Sequence, residues 1–388
     1  MIVFSGNGRG NQSSKKKEAR LKLCFLANAA SIHTRRWTTY FAEHGYDVTV
    51  LSLSEGTVPG VPVWRIGQDP ATRGRLAYLL AVPAVRRALK TIKPDVVHAH
   101  YAGGYGLLGA LAGRHPLVVS AWGSDVLVVP RAEPLMRWVI KQCLNRADLV
   151  TSVAVHMTAT MRALGVKVEI LTNPLGVDTA NFHPRTGTGA GLARLDEAAA
   201  PLLVSTRHLE PIYNMGLLIE AMPEILLKHP NATAAILGAG SLRAELEART
   251  RQLGIANSVT FVGRKTEAEV AEYLSRADVY VSTSLSDGNN ISLNEAMACG
   301  AFPVVTDIPA NREWIEDGRT GYLVDTRDPG QLAARVIEAL NAPELRSRAA
   351  ERNWEVVRQG ASWKNAMRRM EMEYAAVLER RGHPALAS

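Results

Sequence analysis

Short apolar runs alternate with helical segments along almost the whole chain, and that alternation restricts the fold more than any other feature of the sequence. In the first half the runs are LKLCFLA (21–27), DVTVLSL (47–53), DVVHAH (95–100), PLVVSAW (116–122) and DLVTSV (148–153), with helical stretches such as 33–44 and 76–93 between them. Strand and helix in regular alternation build βαβ units, whose strands run parallel because each crossover returns the chain to the same end of the sheet. A stretch rich in Gly, Ala and Thr, HPRTGTGAGLARLDEAAAP (183–201), interrupts the pattern and reads as a linker. The alternation then restarts with PLLVSTR (201–207), TAAILG (233–238), SVTFVG (258–263), VYVSTS (279–284) and FPVVTD (302–307), and the chain ends in helical segments from about 328 to 381. The expected fold class is α/β, two consecutive doubly wound domains; a single large α/β domain is the alternative, against which the linker weighs. Doubly wound sheets bind ligands outside the carboxyl ends of their strands. Two of them facing each other leave a cleft in which a two-substrate reaction is shielded from water.

Several function classes drop out early. The three cysteines, Cys24, Cys143 and Cys299, are far apart and odd in number, which fits neither a zinc spacing nor a disulfide framework and suits a reducing cytoplasm. LAYLLAVPAV (76–85) falls well short of the roughly 18 apolar residues that span a bilayer. The N-terminal charges follow a short apolar start, the reverse of a signal peptide, so residues 1–20 read as a mobile tail. After the first strand stands NAASIHTRRW (28–37) in place of a G-x-G-x-x-G, which argues against a dinucleotide oxidoreductase. A P-loop and a G-x-S-x-G elbow are also missing, against an NTP-hydrolysing P-loop enzyme and an α/β-hydrolase. The net charge of +8 favours an acidic partner, but no basic motif interleaved with aromatics supports nucleic acid.

Candidate chemistry gathers at strand ends. STRHLEPIYN puts Arg207 just past its strand, where a guanidinium can clamp a phosphate with two parallel hydrogen bonds. FVGRK (261–265) brings Arg264 and Lys265 to another strand end. In SDGNNISLNEA, Gly288, Asn289 and Asn290 tolerate the dihedral angles of an anion-binding amide nest, ahead of a helix that opens Ser-Leu-Asn-Glu. Glu295 is then expected on the first helical turn, eight positions after Asp287. An ordinary turn capped by Ser292 is the plainer reading, and it leaves both acids without a role. DVVHAHYAGG places His98 and His100 on one side of the pleat, with His100 at the strand's carboxyl end and His98 the candidate for a satisfied core residue. A third ligand for a metal is not evident near them. SAWGSD (120–125) ends the next strand with Gly123 and Asp125 toward the cleft.

On these residues, and above all on RADVYVSTSLSDGNNISLNEAMACGAFPVVTDIPANREWIEDGRTGYLV (276–324), the chain resembles the retaining, nucleotide-sugar-dependent glycosyltransferases of the GT-B fold, family 4, from about residue 21 onward. The resemblance implies two Rossmann-like domains, an acceptor-side one at 21–182 and a nucleotide-sugar-binding one at 201–361, joined by a linker at 183–200. It also implies a C-terminal helix at 362–388 crossing back to the first domain. Asp287 and Glu295 fall on the family's acid-x7-acid pair. Glu295 is thereby implied to hold the donor ribose and Asp287 to lie by the transferred sugar. Gly288, Asn289, Asn290, Ile291 and Ser292 are implied to bond sugar and diphosphate. Arg207 matches the phosphate-binding arginine, Arg264 and Lys265 the nucleobase segment, and His100 the histidine near the reacting carbon. Ser31, His33, Gly123 and Asp125 are the acceptor-side candidates.

Three positions depart from the pattern. Asp287 stands for the commoner glutamate, Tyr213 and Asn214 stand where a lysine usually follows the arginine, and NAASIHT replaces a Gly-rich loop. Lys265 is the candidate for the missing second charge. The expected function is retaining transfer of a hexose from a nucleotide diphosphate sugar, uridine being the commoner base, with no cofactor and no metal. The alternatives are a silent nucleotide-sugar-binding scaffold and a nucleotide-sugar epimerase. RGRLAYLLAVPAVRRALKTIK (73–93) and VLVVPRAEPLMRWVIK (126–141) mix apolar and basic residues, which suits docking to an anionic membrane that carries a lipid-linked or cell-envelope acceptor. A solvated basic face is the plainer alternative. The corresponding location is the cytoplasm, or the inner face of the cell membrane.

Overall fold

The computed structural model describes residues 20–184 and 200–382. The expected tail (1–20) and linker (183–200) therefore lie outside the described residues except for Arg20, His183, Pro184 and Ala200. The first half forms seven strands, β1 (Lys22–Leu26), β2 (Asp47–Ser52), β3 (Val63–Arg65), β4 (Val96–His100), β5 (Leu117–Ala121), β6 (Leu149–Ser152) and β7 (Ile170–Thr172). They pair in parallel in the order β3-β2-β1-β4-β5-β6-β7. The second half forms six more: β8 (Leu202–Ser205), β9 (Thr233–Ile236), β10 (Val259–Phe261), β11 (Val279–Ser282), β12 (Phe302–Thr306) and β13 (Tyr322–Val324). These are also parallel, in the order β10-β9-β8-β11-β12-β13.

The α/β class and the two doubly wound sheets are as the alternation predicts. Interior strands such as β4 and β5 are buried at every residue, because helices cover both faces of a parallel sheet. In each sheet the winding reverses once, between β1 and β4 and between β8 and β11. Those switch points open a crevice at the carboxyl ends of the two central strands. The residues delivered there are NAASIHT and His100 in the first domain, and Arg207 and the 286–295 segment in the second.

The chain crosses between the domains twice, side by side. Val177 N–H donates to Ala361 O at 2.6 Å and Trp363 N–H to Val177 O at 2.9 Å. Gly176, with φ 74°, packs against Trp363 so closely that a Cβ would lie 2.5 Å from Trp363 Cα. After the second crossing, the helix Trp363–Arg380 lies on the first sheet, its Met367, Met370, Tyr374 and Val377 buried among Leu23, Phe25, Phe41 and Val118. Each such side chain contributes on the order of 1.5–3 kcal/mol. Tyr374 Oη also meets His98 Nδ1 at 2.5 Å, and His98 Nε2 meets Ser120 Oγ at 2.7 Å, so His98 is a satisfied core histidine.

Candidate active site

In the second domain the site is built around Arg207, which follows β8 and is 7% exposed. Its Nη2 donates to Asp287 Oδ2 at 2.5 Å and its Nη1 to Asn290 Oδ1 at 2.9 Å, with Ser292 Oγ at 3.4 Å. The guanidinium carbon lies 4.4 Å from the centre of the Tyr213 ring. Burial opposes the charge of Arg207, but Asp287, Tyr280 and Tyr213 together outweigh it and hold the guanidinium's pKa above its ordinary value. Among the described residues the Nε of Arg207 has no partner.

The helix that follows runs from Ile291 to Cys299 and is capped by Asn290, whose Oδ1 accepts from Leu293 N–H at 3.1 Å. Ser292 is therefore inside the helix, and Glu295 falls on the second turn, not the first. Asn290 wins because its side chain is fully buried and fixed from both ends, its Nδ2 donating to Ser282 Oγ at 3.2 Å and Asn311 Oδ1 at 3.0 Å. The expected nest is also absent: neither Gly288 nor either asparagine has a positive φ. Gly288 is required instead by close approach, since a Cβ there would lie 2.5 Å from Trp122 O and 2.9 Å from Gly123 Cα of the first domain. Among the described residues the backbone N–H groups of Gly288, Asn289 and Asn290 make no hydrogen bond. Three open amides leading into a helix N-terminus form an anion-binding arrangement. Asn289, 6% exposed, leaves its Nδ2 unpaired as well.

Glu295 stands on this helix, partly exposed yet crowded by protein and within electrostatic reach of Arg36 of the first domain. Burial, with Glu267 adding to it, raises its carboxyl to about 7 against the pull of Arg36 and Arg207. Arg264 and Lys265 lie on the surface after Gly263. Lys265 Nζ is 2.8 Å from Glu269 Oε1, at the capping box where Thr266 starts the next helix. Lys265 thus does not join Arg207, contrary to the expectation of a second charge there.

The first domain contributes an aromatic wall. His100, 5% exposed, is surrounded by Phe25, Trp37, His98 and Trp122, with ring centres at 5.4, 5.4, 4.9 and 5.0 Å. Both of its ring nitrogens lack a partner among the described residues, as do the indole N–H groups of Trp37 and Trp122. Burial, and the nearby His98 and His33, lower the pKa of His100 well below its ordinary value, so the ring is neutral. His33 lies 4.9 Å from the Trp122 ring, its pKa lowered to about 4 by burial and by Arg36. Ser31 precedes the helix Ile32–Glu43, half-buried, without a side-chain capping bond.

Asp125 differs from its expected role. It is fully buried, and its oxygens accept from the N–H groups of Ala102 (2.8 Å), Gly123 (2.9 Å) and Trp122 (3.1 Å). Burial raises its pKa while those donors oppose the shift. Asp125 therefore organises the loop that presents Trp122 and Gly123 and does not face an acceptor. Gly123, at φ 145°, does sit at the cleft, against Gly288.

The cleft is closed by a latch that sequence reasoning missed. Glu313 of the second domain accepts from Val155 N–H at 2.9 Å, His156 N–H at 2.7 Å and His156 Nδ1 at 2.6 Å, at the start of the helix Val155–Ala163. Burial opposes the charge of Glu313, but these donors outweigh it and keep its carboxyl below the ordinary range. His156 Nε2 lies 3.3 Å from Asp287 O. The one available signal was that His156 follows a strand end within a few residues, as Arg207 and Trp122 do, while His100 closes its own strand.

Comparison with known proteins bears on the family and the fold. The sequence model of the family "Glycosyl transferases group 1" matches residues 196–355, and that of "Glycosyl transferase 4-like" matches 22–154. A phosphatidyl-myo-inositol mannosyltransferase of Mycolicibacterium smegmatis is 28% identical over 84% of this chain and 86% of its own. A D-inositol 3-phosphate glycosyltransferase of Geodermatophilus obscurus is 29% identical over 86% and 76%. A GDP-mannose-dependent alpha-(1-6)-phosphatidylinositol monomannoside mannosyltransferase of M. smegmatis is 28% identical over 75% and 79%. Among solved structures, sucrose-phosphate synthase of Thermosynechococcus elongatus superposes with a TM-score of 0.78 at 18% identity, covering 93% of this chain and 100% of that one. HepE of Anabaena, in complex with UDP and glucose, gives 0.76 at 18%, covering 92% and 100%. The chain is an enzyme of glycosyltransferase family 4, built on the GT-B fold and drawing on nucleotide-sugar donors.

Proposed function

We propose that the enzyme transfers a hexose from a uridine diphosphate sugar to an acceptor hydroxyl and retains the anomeric configuration. The observation that carries this reading is the buried Arg207 beside three open amides at a helix N-terminus, packed against Trp122 and, behind it, the unpaired His100. In this reading Arg207 and the amides of 288–290 take the diphosphate, with Ile291 and Ser292 opening the helix beneath it. Glu295 takes the ribose hydroxyls, the segment at Arg264 and Lys265 borders the base, and Asp287 and His100 lie by the sugar. Gly123, with Ser31 and His33, borders the acceptor.

The bond from the anomeric carbon to the diphosphate oxygen breaks as the acceptor oxygen bonds to that carbon on the same face. The acceptor's proton passes to the departing phosphate oxygen. Fixed positive charge and amide dipoles stabilise the leaving group, usually the largest catalytic effect. No metal ion takes part in this scheme. His100, being neutral, can donate a hydrogen bond to the sugar without adding a second cation there.

The acceptor is proposed to be lipid-linked or part of a cell-envelope glycan. No helix among the described residues is long and apolar enough to cross a membrane. The helices Leu76–Ile92 and Pro134–Leu144 do expose Leu76, Leu79, Leu80, Leu135 and Trp138, among the exposed Arg73, Arg131 and Arg137. The pair of Arg75 Nη2 with Glu133 Oε1 at 2.7 Å ties the starts of these helices together. An apolar surface rimmed by arginines suits an anionic bilayer.

The test is turnover of UDP-, GDP- and ADP-hexoses, with thermal stabilisation by each nucleotide, in wild type, Arg207→Gln and Glu295→Ala. Stabilisation by one nucleotide that both variants lose supports the site, and hydrolysis or transfer with retained configuration supports the reaction. The relative named for GDP-mannose makes guanosine the competing base. Preference for it would overturn the uridine assignment alone. Failure of every nucleotide to bind would overturn the site.

A further inference from the structure

The missing lysine leaves a question of charge. A diphosphate that departs as a sugar leaves carries at least two negative charges, and among the described residues the second domain brings only Arg207 to the site. Asn214 does not substitute: it is held at φ 49°, and its Nδ2 donates to Thr326 O at 2.9 Å. Tyr213 lies under Arg207 as a ring, and Lys265 is engaged by Glu269.

Another cation reaches the cleft from the first domain. Arg36 stands one helical turn after His33 on the helix Ile32–Glu43. Its guanidinium carbon stacks 4.5 Å from the centre of the Trp363 ring, beside the paired crossings. Its only ion pair among the described residues is long, 4.0 Å from Nη1 to Glu267 Oε1 of the second domain. The guanidinium makes no hydrogen bond among the described residues, and its side chain is 24% exposed. Its charge acts on both Glu295 and His33.

This triangulation rests on the reading above, in which the sugar lies by His100, close to Trp122 and His33, and the ribose by Glu295. The diphosphate must bridge those two places, and Arg36, on the same helix as His33 and 4.0 Å from Glu267 of the second domain, reaches across the cleft with its donors open. We propose that Arg36 is the second cation of the diphosphate site, supplied across the cleft by the acceptor-side domain. Glu267 holds it in waiting. A pair this long and this exposed is weak, whereas a phosphate can accept two parallel hydrogen bonds from a guanidinium. The position of the charge has a consequence for closure. With one cation on each domain, the diphosphate itself draws the domains together, whereas a lysine beside Arg207 would bind it from one side only.

The experiment is calorimetric titration of Arg36→Gln, Arg36→Lys and Arg207→Gln with UDP, UMP and uridine, and with the guanosine series if wild type prefers it. Arg36→Gln is expected to weaken the diphosphate by about 10-fold or more, the loss of one charge-assisted hydrogen-bonded contact. The monophosphate should change by no more than about threefold, and Arg36→Lys should recover part of the loss. Glu267→Gln, which frees Arg36, should leave diphosphate affinity equal or tighter. If Arg36→Gln weakens diphosphate, monophosphate and nucleoside alike, Arg36 acts through the shape of the crossing at Trp363 and the proposal is overturned. If Arg207→Gln loses the diphosphate while Arg36→Gln does not, the proposal falls and the functional reading stands. If neither variant matters, both fall.

Discussion

Asp287 and Arg207, 2.5 Å apart, hold each other in a site proposed to receive phosphate. In that reading the arginine exchanges one anion for another when the donor arrives, and the shorter Asp287 is freed to turn toward the sugar. Glu295 has no such partner, and its raised pKa has a measurable consequence for stability. An acid whose folded pKa is about 7 against an ordinary 4.5 destabilises the fold when ionised. The penalty is absent below pH 4.5, grows between 4.5 and 7, and is full above that, at about 3 kcal/mol. Glu295→Gln carries no such titration. It should therefore gain roughly 2 kcal/mol on wild type as pH rises from 5 to 8, as read by urea unfolding at both values. A difference that stays constant with pH would assign the titration to another group. At this scale the legible residues were those fixed by local spacing: Arg207 and His100 stand at strand ends, and Asp287 and Glu295 stand eight positions apart across a helix start. Glu313 and His156 were not legible, because their partnership spans 157 positions and exists only when two domains meet. Asp125 misled because a strand-end carboxylate reads the same whether it points to the cleft or folds back onto its own loop's amides.

Among the elements, the interior strands were legible because parallel strands buried on both faces are continuous apolar runs. β3, β7 and β13 were not: each has only three residues, and β3 and β7 hold no buried residue. Three residues alone leave no pattern to count; β10, equally short and also at an edge, was read only from the longer apolar run SVTFVG around it. The start of the helix at 291 was misread for a different reason. Serine and asparagine both cap helices well, and only the tertiary bonds of Asn290 to Ser282, Asn311 and Arg207 decide between Asn290 and Ser292. Those bonds make Asn290 a joint between the helix, β11 and the arginine. Asn290→Ala should lose the cap and strand buried partners, at a cost of about 2–4 kcal/mol in urea unfolding. Ser292→Ala removes one 3.4 Å contact and should cost less than about 1 kcal/mol. Equal costs for the two would return the cap to Ser292.

At the scale of the molecule, the charged half of the site and the aromatic half are built on separate sheets, and closure is what makes them one site. Besides the paired crossing at Val177 and Trp363, the contacts across it include the Glu313 latch, His156 on Asp287 O, Arg36 beside Glu267, and Gly288 seated on Trp122 and Gly123. The last of these is backbone against backbone, so no side-chain rotation can make room there. Gly288→Ala would bring a Cβ to 2.5 Å from Trp122 O, and the only relief is for the domains to part. The backbone at 288 does not oppose the change, since its φ is not positive, and the three atoms nearest the added Cβ all belong to the first domain. The variant should therefore keep its stability within about 1 kcal/mol and still bind nucleotide through Arg207 and Glu295. Its turnover should fall on the order of 100-fold, because a displacement of about 1 Å between reacting groups costs that much. Small-angle scattering should give a larger radius of gyration than wild type. Glu313→Gln, which weakens the latch without filling the cleft, should fall between the two in both measurements. Wild-type turnover in Gly288→Ala would mean that the reaction proceeds with the domains apart, and that the seat of Gly288 on Trp122 is a resting contact with no part in catalysis.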